Sequence, residues 1–253
     1  MTFPGLTSAT PLPPSSHYEL LVHRQEQSET PTIGIERVAA PVVIDPEGVY
    51  IRATPLRHTN GTIKGIIAGF ATTIPGTPTR KVLRVALSTD SGTSWSPLGE
   101  VTSVSNPALH DLDNAYPLQL PSGRILVAFR NHDRRASDGA YTHYRITVCY
   151  SDDGGKTWGF LSQVAERPAN SDDPDKLNGL WEPLLRVARD GRTVQCYYSA
   201  ENNARSDQDN VMRYSTDGGK TWSGEVVVSG GELSNSRDGM VGVAEVDGRG
   251  TLM

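Results

Sequence analysis

The chain has 253 residues, 36% hydrophobic and 21% charged, enough apolar side chains to build a core, which excludes a wholly disordered polypeptide. Its formal net charge of -5 comes without a basic stripe, so the counterion release that drives binding to phosphate backbones has no source and nucleic acid is not an expected partner. No run is long and apolar enough to span a membrane, and two cysteines and six scattered histidines form neither a disulfide framework nor a metal-ligand spacing, so no metal or other cofactor is expected.

Residues 1–34, rich in Pro, Ser, Thr and Glu, predict a flexible arm, without the basic and apolar regions of a secretory signal. Residues 35–253 predict one domain made of short strands between Gly- and Pro-containing turns, with almost no helix. ERVAAPVVI, ending at Ile44, reads as a lone strand. A first unit, about 46–105, then runs through IRATPL with Arg52 and Pro55, a Gly turn and the strand of NGTIKGIIAGF, the strand VLRVAL, and the turn STDSGTSW with Asp90 and Trp95.

A second unit, about 106–167, repeats this order: AYPLQL with Tyr116 and Pro117 just after Asn114, SGRILVAFR running into Arg130, Asn131 and His132, RITVCY, and SDDGGKTW with Asp153 and Trp158. The third, about 178–230, carries GLWEPLLRVA with Trp181, Glu182 and Pro183, then DGRTVQCYY leading to Glu201 and Asn202, NVMRY, and STDGGKTW with Asp217 and Trp222. A fourth, about 236–253, begins at SRDGMVGVAEV with Arg237, Asp238 and Glu245, turns at DGRG and reaches TLM.

Trp95, Trp158 and Trp222 stand 63 and 64 residues apart. In S-x-D-x-G-x-x-W the Asp carboxylate accepts amides of its own turn, Gly permits a left-handed residue, and Trp packs between strands. Asp90, Asp153 and Asp217 are therefore structural carboxylates. Four antiparallel strands per unit at this period predict an all-β propeller with one blade per unit. The motif resembles the Asp-box of sialidases and related propellers, which implies six blades. Six units need roughly 380 residues at this period, so the sequence predicts about three and a half blades and an unclosed ring, with ERVAAPVVI as the strand that would complete the last blade.

Because strands alternate in direction, the Asp-box and Gly turns share one end of the propeller. The other end collects the longer, polar loops and is the expected functional surface. There Glu182, beside Trp181 and before Pro183 at the head of an innermost strand, is the candidate catalytic carboxylate, since partial desolvation tunes such groups for acid or nucleophilic work. Arg52, Asn114, Tyr116, Arg130, Asn131, His132, Trp181, Glu201, Arg237 and Asp238 are expected around it as substrate-binding groups, a set of planar hydrogen bonders and aromatic faces suited to a sugar.

PSGRILVAFRNH, YRITVCYSDDGGKTW, GLWEPLLRVARDGR, YYSAENN and SRDGM resemble glycoside hydrolase family 93, fungal exo-arabinanases that release arabinobiose from 1,5-α-L-arabinan. The likeness runs from about residue 36 to the end. It implies a retaining mechanism with two carboxyl groups about 5–5.5 Å apart, an oligosaccharide or polysaccharide substrate and a monomeric, typically secreted protein. Glu182 matches one family carboxylate, as nucleophile or as acid/base. Glu245 is rejected as the other, because it stands at the far end of its strand. Repeat logic places the partner at the head of the second strand of blade four, the position Glu201 holds in blade three, a few residues beyond Met253, so this chain is expected to be an incomplete and inactive fragment. Two other readings remain: a sialidase-like hydrolase using Arg52, and a non-catalytic propeller that binds glycan or protein.

Overall fold

The computed structural model describes residues 40–173, 177–201, 207–231, 237–246 and 250–252. The expected arm of residues 1–34 lies outside them. The chain divides into the units Met1–Pro41 and Val42–Met253, and every described strand belongs to the second.

Among the described residues there is no helix. Blade one is β1 (Val49–Arg57), β2 (Ile63–Ile74), β3 (Arg80–Ser88) and β4 (Ser96–Val104). Blade two is β5 (His110–Gln119), β6 (Ile125–Arg134), β7 (Tyr141–Ser151) and β8 (Gly159–Pro168). Blade three is β9 (Leu180–Val187), β10 (Val194–Glu201), β11 (Gln208–Ser215) and β12 (Val226–Ser229). Each is an antiparallel sheet in which consecutive strands are neighbours. A two-stranded sheet, β13 (Ala244–Val246) with β14 (Gly250–Leu252), follows. The architecture is that of a β-propeller, of which this chain carries three blades and the start of a fourth. Ala40–Ile44 are not strand, which corrects the expectation for that part of ERVAAPVVI: a lone strand has no ladder without a neighbour to pair with. Glu36–Ala39 lie outside the described residues.

Central strands read as continuous apolar runs because both of their faces are covered by neighbouring blades. Ile125 to Phe129 of β6 are all buried. Leu56, Ile67, Leu83 and Val85 of blade one pack against Leu112, Ile125, Val127 and Phe129 of blade two; Leu126, Ile146 and Val148 of blade two pack against Leu180, Cys196 and Tyr198 of blade three. Both cysteines are free and buried inside these layers. The innermost strands β1, β5 and β9 lie side by side, and their heads share one end of the axis.

Asp-box turns join the blades as well as the strands. In the first, Asp90 accepts the Ser94 hydroxyl at 2.6 Å and amide at 2.9 Å, and these bonds, with that from Ser88, lower its pKa to about 2. Asp153 and Asp217 make the same bonds to Thr157 and Thr221. The third tryptophan differs. Trp95 and Trp158 donate to the Gly92 and Gly155 carbonyls of their own turns, whereas Trp222 donates at 3.0 Å to Ser162 Oγ of blade two, which donates at 2.5 Å to Gly219 O of blade three. Gly99 stands at the matching place in blade one, four residues after its tryptophan, and meets the second turn at Gly155. The second and third turns thus each dock on the outer strand of the preceding blade.

Candidate active site at the axial end of the blades

The innermost strands carry a repeated irregularity. Between Val49 and Arg52 in β1, Asp113 and Tyr116 in β5, and Trp181 and Leu184 in β9, two residues face a single partner on the next strand, a β-bulge. Its first residue is left-handed in each blade: Tyr50 (φ 52), Asn114 (φ 55) and Glu182 (φ 55), with Met240 (φ 51) ahead of β13 in the fourth. Non-glycine residues hold this conformation at a cost of about 1–3 kcal/mol and cluster at functional sites. The bulge sets which positions correspond between blades. Pro183 directly follows its left-handed residue while Pro117 and Pro55 stand further along, so the three prolines are not equivalent. Arg52 matches Tyr116, not Glu182, whose counterpart in blade one is Tyr50.

Arg52, Asn114, Tyr116 and Glu182 converge all the same, lining one cavity with Pro183, Leu184, Met240 and Val241. Glu182 Oε2 accepts the Met240 amide at 2.9 Å, which fixes the carboxylate by one oxygen and leaves Oε1 outside that bond. Gly239 makes room for this contact, since a Cβ there would lie 2.9 Å from Gln208 Nε2 and 3.4 Å from Glu182 Oε2. Asn114 is 3% exposed and its backbone amide donates to Asp113 Oδ1 at 2.8 Å. Burial raises the Tyr116 pKa, with Arg52 opposing.

The remaining expected contacts sit elsewhere. His132 is fully buried, edge-on to Tyr144, Trp181 and Tyr141 at 4.9, 5.2 and 5.6 Å, which corrects its assignment as a sugar contact: no ligand reaches it. Its Nδ1 accepts the Arg145 amide at 3.1 Å, and desolvation, reinforced by Arg130, lowers its pKa to about 3. Arg130 stacks 5.2 Å over Trp181 and reaches Asp111 at 3.1 Å, so both belong to this cluster between the blades and not to the cavity lining. Asn131 turns to Thr147 Oγ1 at 3.2 Å. Glu201, also buried, accepts Gly179 N at 3.0 Å and Arg237 Nη2 at 3.1 Å, and Asp238 accepts the Ser229 hydroxyl; these residues tie the start of the fourth unit to blade three. Glu245 pairs with Arg186 at 2.6 Å, four residues along β9 from Glu182. Asn202 lies outside the described residues.

Two buried carboxylates that the motifs do not single out, Asp111 and Asp113 of HDLDNAY, stand beside this cluster. Burial opposes ionisation of Asp111, but Arg130, Tyr141 and Arg134 outweigh it and its pKa is lowered. At Asp113 burial dominates over the Asn114 amide, Lys81 and Arg130, and the pKa is raised. Their spacing is a signal, because residues two apart on a strand share a face.

A family model described as a BNR repeat-like domain matches residues 58–253. Among solved structures, the α-L-arabinofuranosidase of Fusarium graminearum, of glycoside hydrolase family 93, in complex with arabinobiose is 24% identical with a TM-score of 0.58, over 78% of this chain and 53% of that one. A second structure from Fusarium graminearum, an α-L-arabinofuranosidase with an iminosugar inhibitor, is 26% identical with a TM-score of 0.56, over 79% and 53%. The Penicillium chrysogenum α-L-arabinanase complexed with arabinobiose is 23% identical with a TM-score of 0.54, over 72% and 49%. The chain spans about half the length of these structures. No curated protein matches it.

Proposed function

The chain belongs to the BNR repeat-like domain family, and from that premise we propose that its axial cavity is the sugar site of an arabinan-directed glycoside hydrolase of the retaining, two-carboxylate type. The observation that carries the reading is the convergence of Arg52, Asn114, Tyr116 and Glu182, from three blades, on one cavity. Structural neighbours that share this fold hold arabinobiose. Glu182 is one of the two carboxyl groups. With Oε2 occupied by the Met240 amide, Glu182 acts through Oε1 in whichever of the two roles it holds, attack at the anomeric carbon or proton transfer to the leaving oxygen, and the other role falls to the second carboxyl group. Arg52 and Tyr116 supply hydrogen bonds for hydroxyls.

A sialidase-like site needs several arginines for the substrate carboxylate. Arg52 is the one arginine lining the cavity among the described residues, and Arg237 is engaged by Glu201 and Gln208. One observation favours the binding-module reading for this stretch of chain: Glu182 is the one carboxylate lining the cavity among the described residues.

Incubation of the chain with linear 1,5-α-L-arabinan separates these readings. Release of arabinobiose, slowed at least about a thousandfold by Glu182→Gln, is the outcome expected of the hydrolase. Binding of arabinobiose without release is expected both of a glycan-binding module and of a hydrolase stretch that lacks the second carboxyl group, and cleavage of a sialoside with no action on arabinan contradicts the arabinan reading.

A further inference from the structure

The turns that join the first and second strands of the three blades share one construction. The amides of Gly61, Gly123 and Gly191 donate to the carbonyls of His58, Leu120 and Ala188 at 2.8, 2.9 and 2.9 Å, and each glycine is left-handed. The residue before the glycine accepts, through a side-chain oxygen, the amide of the residue after it: Asn60 from Thr62 at 3.1 Å, Ser122 from Arg124 at 3.4 Å and Asp190 from Arg192 at 2.9 Å. The turn therefore asks only for an oxygen at this position, and Asn, Ser or Asp supplies it. In blade one alone that residue also brings a carboxamide nitrogen, with a hydroxyl two residues on. Asn60-Gly61-Thr62 is the one N-x-S/T sequence in the chain, the acceptor pattern for an N-linked glycan.

The local geometry leaves that nitrogen open. Thr62 Oγ1 donates to Asn60 Oδ1 at 2.7 Å, so both of its bonds and that of the Thr62 amide fall on the carboxamide oxygen, and Nδ2 makes no hydrogen bond among the described residues. Asn60, Gly61 and Thr62 are all exposed. Nothing lies within 4 Å of a Cβ at Gly61, and the tip borders an open cavity of about 380 Å³ lined by Thr59 and Gly61 with Leu120 and Pro121 of blade two, so a first sugar has room beside the turn. The turn stands at the foot of β1, away from Arg52 and the axial cavity and outside the apolar layers between blades.

We propose that Asn60 is an N-glycosylation site, modified when the chain enters a secretory lumen. The donor is an oligosaccharide carried on a polyprenyl diphosphate. Asn60 Nδ2 loses one proton and bonds to the anomeric carbon, the carbon–oxygen bond to the diphosphate breaks, and the lipid diphosphate leaves; nothing is oxidised or reduced. The glycan projects from the end that carries the Asp-box turns and leaves the axial end clear. The proposal is independent of the reading of the axial cavity.

The test expresses the full chain behind a cleavable leader in a eukaryotic secretory host. Leader-cleaved chain from cells and medium is analysed by peptide mass spectrometry before and after treatment with peptide N-glycosidase F. The expected result is a glycan on the peptide that contains Asn60, which the enzyme removes to leave an aspartate at that position. Asn60→Gln and Thr62→Ala should each abolish the glycan, whereas Thr62→Ser, which keeps the hydroxyl, should retain it. Both pools are read, so a variant held inside the cell by misfolding gives the same answer as a secreted one. A leader-cleaved wild-type chain with no glycan at Asn60, or a glycan there that survives Thr62→Ala, overturns the proposal.

Discussion

The chain should lose about 5 kcal/mol of stability between pH 6.5 and pH 3 through one buried histidine. His132 has a pKa of about 3 in the folded chain against about 6.5 in an unfolded one. Its folded value is depressed, so its contribution is fully present above pH 6.5 and is lost as pH falls toward 3. Below pH 6.5 the unfolded chain binds a proton that the folded chain refuses, which costs about 1.4 kcal/mol per pH unit. Asp113 acts in the opposite sense. Its raised pKa means that protonation on acidification is easier in the folded chain, so it softens the loss at the acid end. The cause at His132 is geometric: the ring is closed in by Tyr141, Tyr144 and Trp181, lies beside Arg130, and commits Nδ1 to the Arg145 amide. Urea unfolding at pH 7, 6, 5 and 4.5 checks this for the wild type and for His132→Gln. The variant starts from a lower stability but should show a much flatter pH dependence over that interval; equal slopes would remove His132 as the source.

Gly99→Ala should cost at least about 3 kcal/mol, more than removal of any single surface ion pair. A Cβ at Gly99 falls on the carbonyl oxygen of Gly155, well inside contact distance, and lies 2.8 Å from Lys156 O and 3.2 Å from Trp158 Nε1. Two of these three atoms are backbone, which cannot rotate away, so blade two's turn must shift off blade one. The equivalent position in blade two is a serine whose hydroxyl bonds the next turn, so the two interfaces use different spacings, and what Ser162 does there Gly99 cannot be made to do. Gly224→Ala is the control, because nothing lies within 4 Å of a Cβ at that position. Thermal melting of both variants checks the expectation. Equal midpoints would mean that the Asp-box turn does not clamp neighbouring blades.

Much of this fold is written in local chemistry. An Asp that satisfies its own turn and a Gly that turns left-handed are decided within eight residues, so Ser88 to Trp95 and its two copies announce the blades without reference to anything distant. Glu182 is legible at the head of β9 for the same reason, since strand direction follows from counting turns. The bulges of the innermost strands are not legible. They are a mismatch between two strands, visible only when Trp181 is seen opposite Ser199 and Leu184 opposite Tyr197, and an alignment on Pro55, Pro117 and Pro183 slides past them. His132 and Arg130 sit on the same strand as residues that face other layers, and whether a side chain there meets ligand or core depends on the aromatic rings of β7 and β9 that close over it. That neither side-chain polar atom of Asn114 has a hydrogen-bond partner is likewise a property of its surroundings and not of its sequence neighbours.

Chemistry at the axial end, where the left-handed bulges stand, and a purely structural Asp-box end make one prediction that an NMR titration of the isotopically labelled chain with arabinobiose tests directly. Amide shifts concentrated at Arg52, Asn114, Tyr116, Glu182 and Met240, with the turns at Asp90, Asp153 and Asp217 unmoved, are the predicted result. Shifts centred on those turns, or none at any concentration up to the solubility of the sugar, would contradict it.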